Sequence, residues 1–75
     1  MSLITVKLLA NPLSLAEKRE LIEKLTEAAV AVEGEALRAT TCVIVEEIDS
    51  GAWGIGGSVP TSEDVRALRA NAVIG

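Results

Sequence analysis

The sequence predicts an α/β (α+β) fold: one β-α-β unit, then a hairpin and a short helix, in a single domain of residues 1–75. Three features carry that reading. The chain opens on a run whose apolar residues alternate, continues into a stretch whose apolar residues recur every three or four positions, and returns to a β-branched run. Short turn-forming segments separate the three, which fits a strand, a crossover helix and a second, parallel strand.

In the first strand, Leu3-Ile4-Thr5-Val6-Lys7-Leu8-Leu9 sets Ile4, Val6 and Leu8 on one face and Leu3, Thr5, Lys7 and Leu9 on the other. Asn11-Pro12 ends it, since proline has no N–H to give a ladder. Ser14-Leu15-Ala16-Glu17 then fits a capping box, in which serine accepts an amide proton and Glu17 reaches back. Leu21, Ile22, Leu25, Ala28, Ala29 and Val32 form the expected apolar stripe of the helix. Glu20 and Lys24 pair on its wet side, and Gly34 is the expected stop. Thr41 to Ile48 is the second strand. Two strands and one helix leave a sheet face and two edges uncovered.

Beyond the second strand, Gly51-Ala52-Trp53-Gly54-Ile55-Gly56-Gly57 holds four of the chain's six glycines and its single aromatic residue. That is the composition of a shaped loop or hairpin displaying an indole. Ser58-Val59-Pro60 leads to a tail helix capped by Thr61, with Glu63 and Asp64 in its first turn and Arg66 and Arg69 later. Val65 and Leu68 give this helix a thin apolar edge, suited to docking on a neighbour. Residues 71–75 are expected to fray or to lie on another subunit.

Composition narrows the function. A chain of 75 residues has little core of its own, and one cysteine forms no internal disulfide. Without histidine the usual zinc sites are absent, so neither a metal nor a cofactor is expected. Yet 49% of the residues are hydrophobic and the mean hydropathy is +0.40. Self-association, as a homo-oligomer, is the expected cover for that surface. A net charge of −4 and a pI near 4.6 argue against nucleic-acid binding. The longest apolar run is too short to span a bilayer, and no secretory leader pattern opens the chain. The lone thiol fits a cytoplasmic location.

Few side chains suit catalysis. Serine hydrolysis lacks a histidine base, and the glycine run lacks the lysine and helix start of a phosphate loop. Glu46 and Glu47 are neighbours on a strand and so face opposite ways; solvation or a subunit-interface ion pair is their expected role. Two readings of Trp53 stand: a filler of a core gap, or the wall of a pocket at a subunit junction. Cys42 begins a strand expected to be buried and reads as a small inert hydrophobe. Arg38, just before that strand, reads as a solvated or interface charge, and Lys7 as a buried pairing partner. The chain terminus is itself a base. An α-amine titrates near ~7.7–8.0, the closest of any group here to neutral pH. The small Ser2 suits removal of Met1, which leaves the amine on Ser2.

The early strand, the capped helix, and Val43-Ile44-Val45-Glu46-Glu47 running into Gly51-Ala52-Trp53-Gly54-Ile55-Gly56-Gly57 together resemble the 4-oxalocrotonate tautomerase family. The likeness covers residues 2–57, with 58–75 a variant C-terminal extension. It implies a tautomerase-like β-α-β unit, paired into mixed four-stranded sheets and assembled as a hexamer, or as a dimer or trimer. It also implies an amino-terminal proline that shuttles a proton on an enol or dienol acid, two arginines for the substrate carboxylates, and a loop aromatic closing the pocket. Trp53 falls on the aromatic position, with Ile55 beside it. Ser2 falls on the proline position, and Leu13 and Cys42 on those of the arginines. Met1-Ser2-Leu3 also resembles an expression leader, in which case the natural protein carries proline where Ser2 stands.

Leucine and cysteine cannot supply an arginine's fork, so a dicarboxylate substrate is not expected. Arg38 stands four strand residues, roughly 13 Å, from Cys42 and serves only by folding back or by reaching a neighbouring subunit. The expected function is therefore a tautomerase-type isomerase acting on a small carboxylic acid. Its catalytic group is the amine of Ser2, and Trp53, Arg38, Ile55 and Lys7 bind substrate. The alternative is a catalytically silent subunit of the same fold.

Overall fold

The structure is a computed structural model and describes residues 1–72. Its elements are strand β1 (Ser2–Leu9), helix α1 (Leu15–Glu33), a 3₁₀ segment (Glu35–Thr40), strand β2 (Thr41–Ile48) and helix α2 (Ser62–Ala72). The strands are parallel and pair without a bulge from Ser2–Thr41 to Leu9–Ile48. Helix α1 covers one face of this two-stranded sheet. The β-α-β order is the expected one, and both strands are sheet edges.

Local chemistry explains the boundaries. Ser14 Oγ accepts from the Glu17 amide at 3.1 Å while Glu17 Oε1 accepts from the Ser14 amide at 2.9 Å, closing the capping box. Gly34 ends α1 at φ 109°, a value that L side chains rarely adopt. Asn11 turns the chain at φ 73°, and its amide is held by Glu47 Oε2 at 3.3 Å. Gly56 and Gly57, at φ 57° and 88°, form the two-residue turn of a minimal hairpin closed by paired bonds between Ile55 and Ser58. Thr61 caps α2 as expected, in a reciprocal pair with Asp64. The 3₁₀ segment has no counterpart in the sequence reading. Of the tail residues 71–75, Asn71 and Ala72 complete α2, and 73–75 lie outside the described residues.

The core is thin. Among the described residues only Leu9 and Val30 are buried apolar side chains, each 6% exposed, while Leu3, Ile44 and Leu68 stand more than half or about half in solvent. The radius of gyration is 15.0 Å, against ~11 Å for a compact domain of this length. Three expectations change accordingly. Val32 is 89% exposed and Ala28 also faces outward, whereas Val30 points in. The last turn of α1 is exposed beyond Val30; its Glu33 reaches the start of β1, where it accepts from Ser2 Oγ at 2.8 Å. Cys42 and Lys7 are exposed rather than buried, because the sheet face they share has no second layer in the protomer. Glu46 and Glu47 do face opposite ways: Glu46 lies 4.0 Å from Lys7 on the open face, and Glu47 pairs with Lys18 of α1.

Candidate functional site

A parallel sheet has two unlike ends, and the candidate residues divide between them. Ser2, Arg38 and Cys42 belong to the amino end, where both strands begin. Lys7, Leu13, Trp53 and Ile55 meet at the carboxyl end, around one recess of about 350 Å³. Ser2 and Lys7 are five residue steps apart along β1, roughly 17 Å. A protomer therefore does not bring its own terminus to its own tryptophan.

The carboxyl-end recess is built from four segments. The end of β1 supplies Leu8 and Leu9, and the loop into α1 supplies Pro12 and Leu13. The hairpin supplies Trp53 and Ile55, and α2 closes the side with Val65, Leu68 and Arg69. Trp53 is half-buried, held by a loop that starts from β2 and turns at the two positive-φ glycines. Its side chain forms part of the recess wall within the protomer. The recess is apolar except at Lys7 and Arg69, and no carboxylate lines it. A second recess, lined by Lys7, Ile48, Ala52, Trp53 and Gly54, also includes Trp53 and Lys7.

Sequence reasoning assigns Arg69 only to the dipole of the tail helix, although a signal for its placement here is present. Val65, Leu68 and Arg69 lie at i, i+3 and i+4 on one face of α2. Val65 of that edge turns toward this chain's own body, Leu68 stays largely exposed at the side of the recess, and the arginine comes with them. Its guanidinium donates to the Pro12 carbonyl oxygen at 2.6 Å and to Glu17 Oε2 at 2.5 Å. Ser62 Oγ donates to the Ala10 carbonyl oxygen, so α2 is tied at both ends to the β1–α1 loop. The Arg69 hydrogen bond, helped by the Ser14 amide, lowers the Glu17 carboxyl from 4.5 to about 2. Arg69 thus places a guanidinium beside Leu13, where the resemblance expects an arginine.

The amino end is polar and already partnered. The terminal amine lies 3.7 Å from Glu33 Oε1 and is open to solvent. Arg38 makes two forks: Nε and Nη2 to Glu35 at 2.7 and 3.1 Å, and Nη1 and Nη2 to Glu27 at 2.5 and 3.1 Å. Both glutamates are held below the usual carboxylate range by these bonds, and Arg38 is pushed further above its own. Cys42 stands on the open sheet face paired in register with Leu3.

A sequence model of the family described as "Tautomerase enzyme" matches residues 3–63. The chain belongs to the tautomerase family. Its β-α-β order with a C-terminal helix matches solved tautomerase structures. One is DmpI of Helicobacter pylori, 30% identical, covering 77% of this chain and 94% of that one, with a TM-score of 0.69. Another is an apo "unFused 4-OT", 30% identical over 79% of this chain and 93% of that one, with a TM-score of 0.70. A third comes from work on 4-oxalocrotonate tautomerase isozymes of Methylibium petroleiphilum. It is 20% identical, covers 95% of this chain and 98% of that one at a TM-score of 0.70, and supports the fold alone. No functionally curated protein matches. The family match ends at residue 63, so nearly all of α2, Arg69 included, lies beyond it. Among the described residues no helix is long and apolar enough to cross a membrane.

Proposed function

We propose that this chain is a tautomerase that moves a proton on a small enol or keto acid, in a site completed between copies. The terminal amine of one copy takes the enol proton and returns a proton to carbon, which leaves the substrate isomerised and the amine unchanged. Trp53 and Ile55 of another copy wall the apolar part of the site, and Lys7 adds positive charge near the carboxylate. Arg38 arrives with the amine of its own copy, but its donors are largely taken by Glu27 and Glu35, which makes Lys7 the stronger anion partner.

The observation that carries this reading is the division of the site. The basic amine and the tryptophan recess sit at opposite ends of one sheet, whose open face and two edges offer the contacts that join them. The exposed Leu3 and Ile44 on that face support a homo-oligomer, with the hexamer as the arrangement the resemblance implies.

The test is ketonisation of phenylenolpyruvate by the chain with Met1 removed, alongside Ser2→Pro, with oligomeric state measured in parallel. A rate above buffer is expected, and it rises in Ser2→Pro, where the secondary amine of the family is installed. No rate above buffer from either protein, with the oligomer intact, would overturn the reading. It would leave the silent subunit, a reading favoured by Cys42 on one arginine position and by the saturation of Arg38.

A further inference from the structure

We infer that the recess at the carboxyl end is a binding site for a small monocarboxylate with a flat apolar body, its carboxylate held by Arg69 and its body against Trp53. The inference deepens the tautomerase reading, on which its catalytic meaning rests, by naming the substrate class and a residue that recognises it.

The volume and lining set the class. About 350 Å³ lies at the small end of the range for small-molecule sites. Its walls are leucine, isoleucine, valine, proline and one indole, which suit a flat hydrocarbon body. The two polar lining residues are both cations, so the ligand that matches is an anion. Lys7 already stands 4.0 Å from Glu46, so a second carboxylate deep among the apolar side chains would be desolvated without an unengaged cation, which selects one charge rather than two.

Arg69 is suited to hold that charge. Two of its five N–H donors are used, by Pro12 and Glu17, and the other three have no hydrogen bond among the described residues. A guanidinium so placed keeps a fork for a carboxylate. Glu17 and the ligand then compete for the same positive charge. Glu17 does not line the recess but touches the arginine that does.

Trp53 is the single aromatic residue, so its fluorescence reports on the site without a label. Phenylacetate titrated into the full-length protein should change Trp53 emission saturably. Phenylacetamide, its neutral isostere, should bind at least about tenfold more weakly, as expected for the loss of a charged hydrogen bond. Arg69→Gln should weaken phenylacetate by about the same factor, and Arg69→Lys should recover part of it, keeping the charge without the fork. Glu17→Gln preserves the capping box and removes the competing charge, so it should tighten binding.

Equal affinity for acid and amide, an Arg69→Gln protein that binds unchanged, or a Glu17→Gln protein that binds no tighter overturns the inference. If Arg69→Gln releases α2, seen in the unliganded Trp53 spectrum, the Glu17→Gln result decides. Turnover of phenylenolpyruvate with no phenylacetate binding defeats this inference and leaves the tautomerase reading. Arg69-dependent binding without turnover does the reverse.

Discussion

At the amino end of the sheet Arg38 gives four of its five donors to Glu27 and Glu35, whereas at the carboxyl end Arg69 gives two, to Pro12 and Glu17. The first lies in a 3₁₀ segment among glutamates; the second lies on a helix packed beside an apolar recess. The same side chain is largely engaged in one place and keeps donors in reserve in the other. The difference comes from the neighbours. Two carboxylates take four of a guanidinium's five donors, while a carbonyl oxygen and one carboxylate leave three over. Residue type alone does not say whether an arginine has donors to spare; the count of donors already engaged does.

The largest expected effect tests whether the carboxyl end owns the protomer's core. Leu9→Ala should destabilise by about 2–3 kcal/mol in urea unfolding, since Leu9 is 6% exposed and also lines the recess. Val32→Ala, on a side chain 89% exposed, should change stability by less than about 0.5 kcal/mol. A larger loss at Val32 than at Leu9 would show that an intersubunit surface, and not the protomer, carries the stability.

A smaller effect tests the hairpin that holds Trp53. Gly57→Ala, at φ 88°, should destabilise by about 1–3 kcal/mol and shift Trp53 emission. Gly54→Ala should be nearly silent, because a Cβ there meets only the Ser58 carbonyl oxygen, at 3.9 Å. Equal effects at both glycines would mean that the turn does not position the indole.

The smallest effect sharpens the contrast between the arginines. Glu17 has its folded value lowered to about 2. The Arg69–Glu17 tie therefore contributes fully above the unfolded value of 4.5 and is lost as pH falls toward 2. Trp53 emission should follow that loss between pH 4.5 and 2, and the change should disappear in Glu17→Gln. High salt should weaken the exposed Arg38 pairs in the same way without altering Trp53.

Much of the fold was legible because it is written in local chemistry. The Ser14–Glu17 box, the Gly34 stop, the Thr61 cap and the strand Thr41–Ile48 all follow from residues within a few positions of one another. What local chemistry cannot give is which surfaces stay open. Cys42 and Lys7 have the sequence surroundings of buried strand residues, but burial requires a second layer that the protomer lacks. Arg69 is legible only as a helix-dipole charge, for the opposite reason. Its partners are Pro12 and Glu17, 57 and 52 residues away, and no spacing rule reaches that far. The apolar recess was legible only as Trp53 and its glycines, the part of it that is contiguous in sequence.

The parallel register has a consequence for how the chain finds its structure. Every rung of the sheet joins residues the same distance apart, from Ser2–Thr41 to Leu9–Ile48, so no rung is a local contact that could form early. Between the strands, however, the 19 residues of α1 are capped at both ends and make a rod of about 28 Å. Once that rod exists, closing the sheet requires ordering only the short segments on either side of it, a far smaller entropic barrier than closing a flexible loop of the full length. The helix that covers the sheet is also its assembly jig. Pulse-labelled hydrogen exchange during refolding should find the α1 amides protected before those of either strand; simultaneous protection of all three would show that the rod forms only with the sheet.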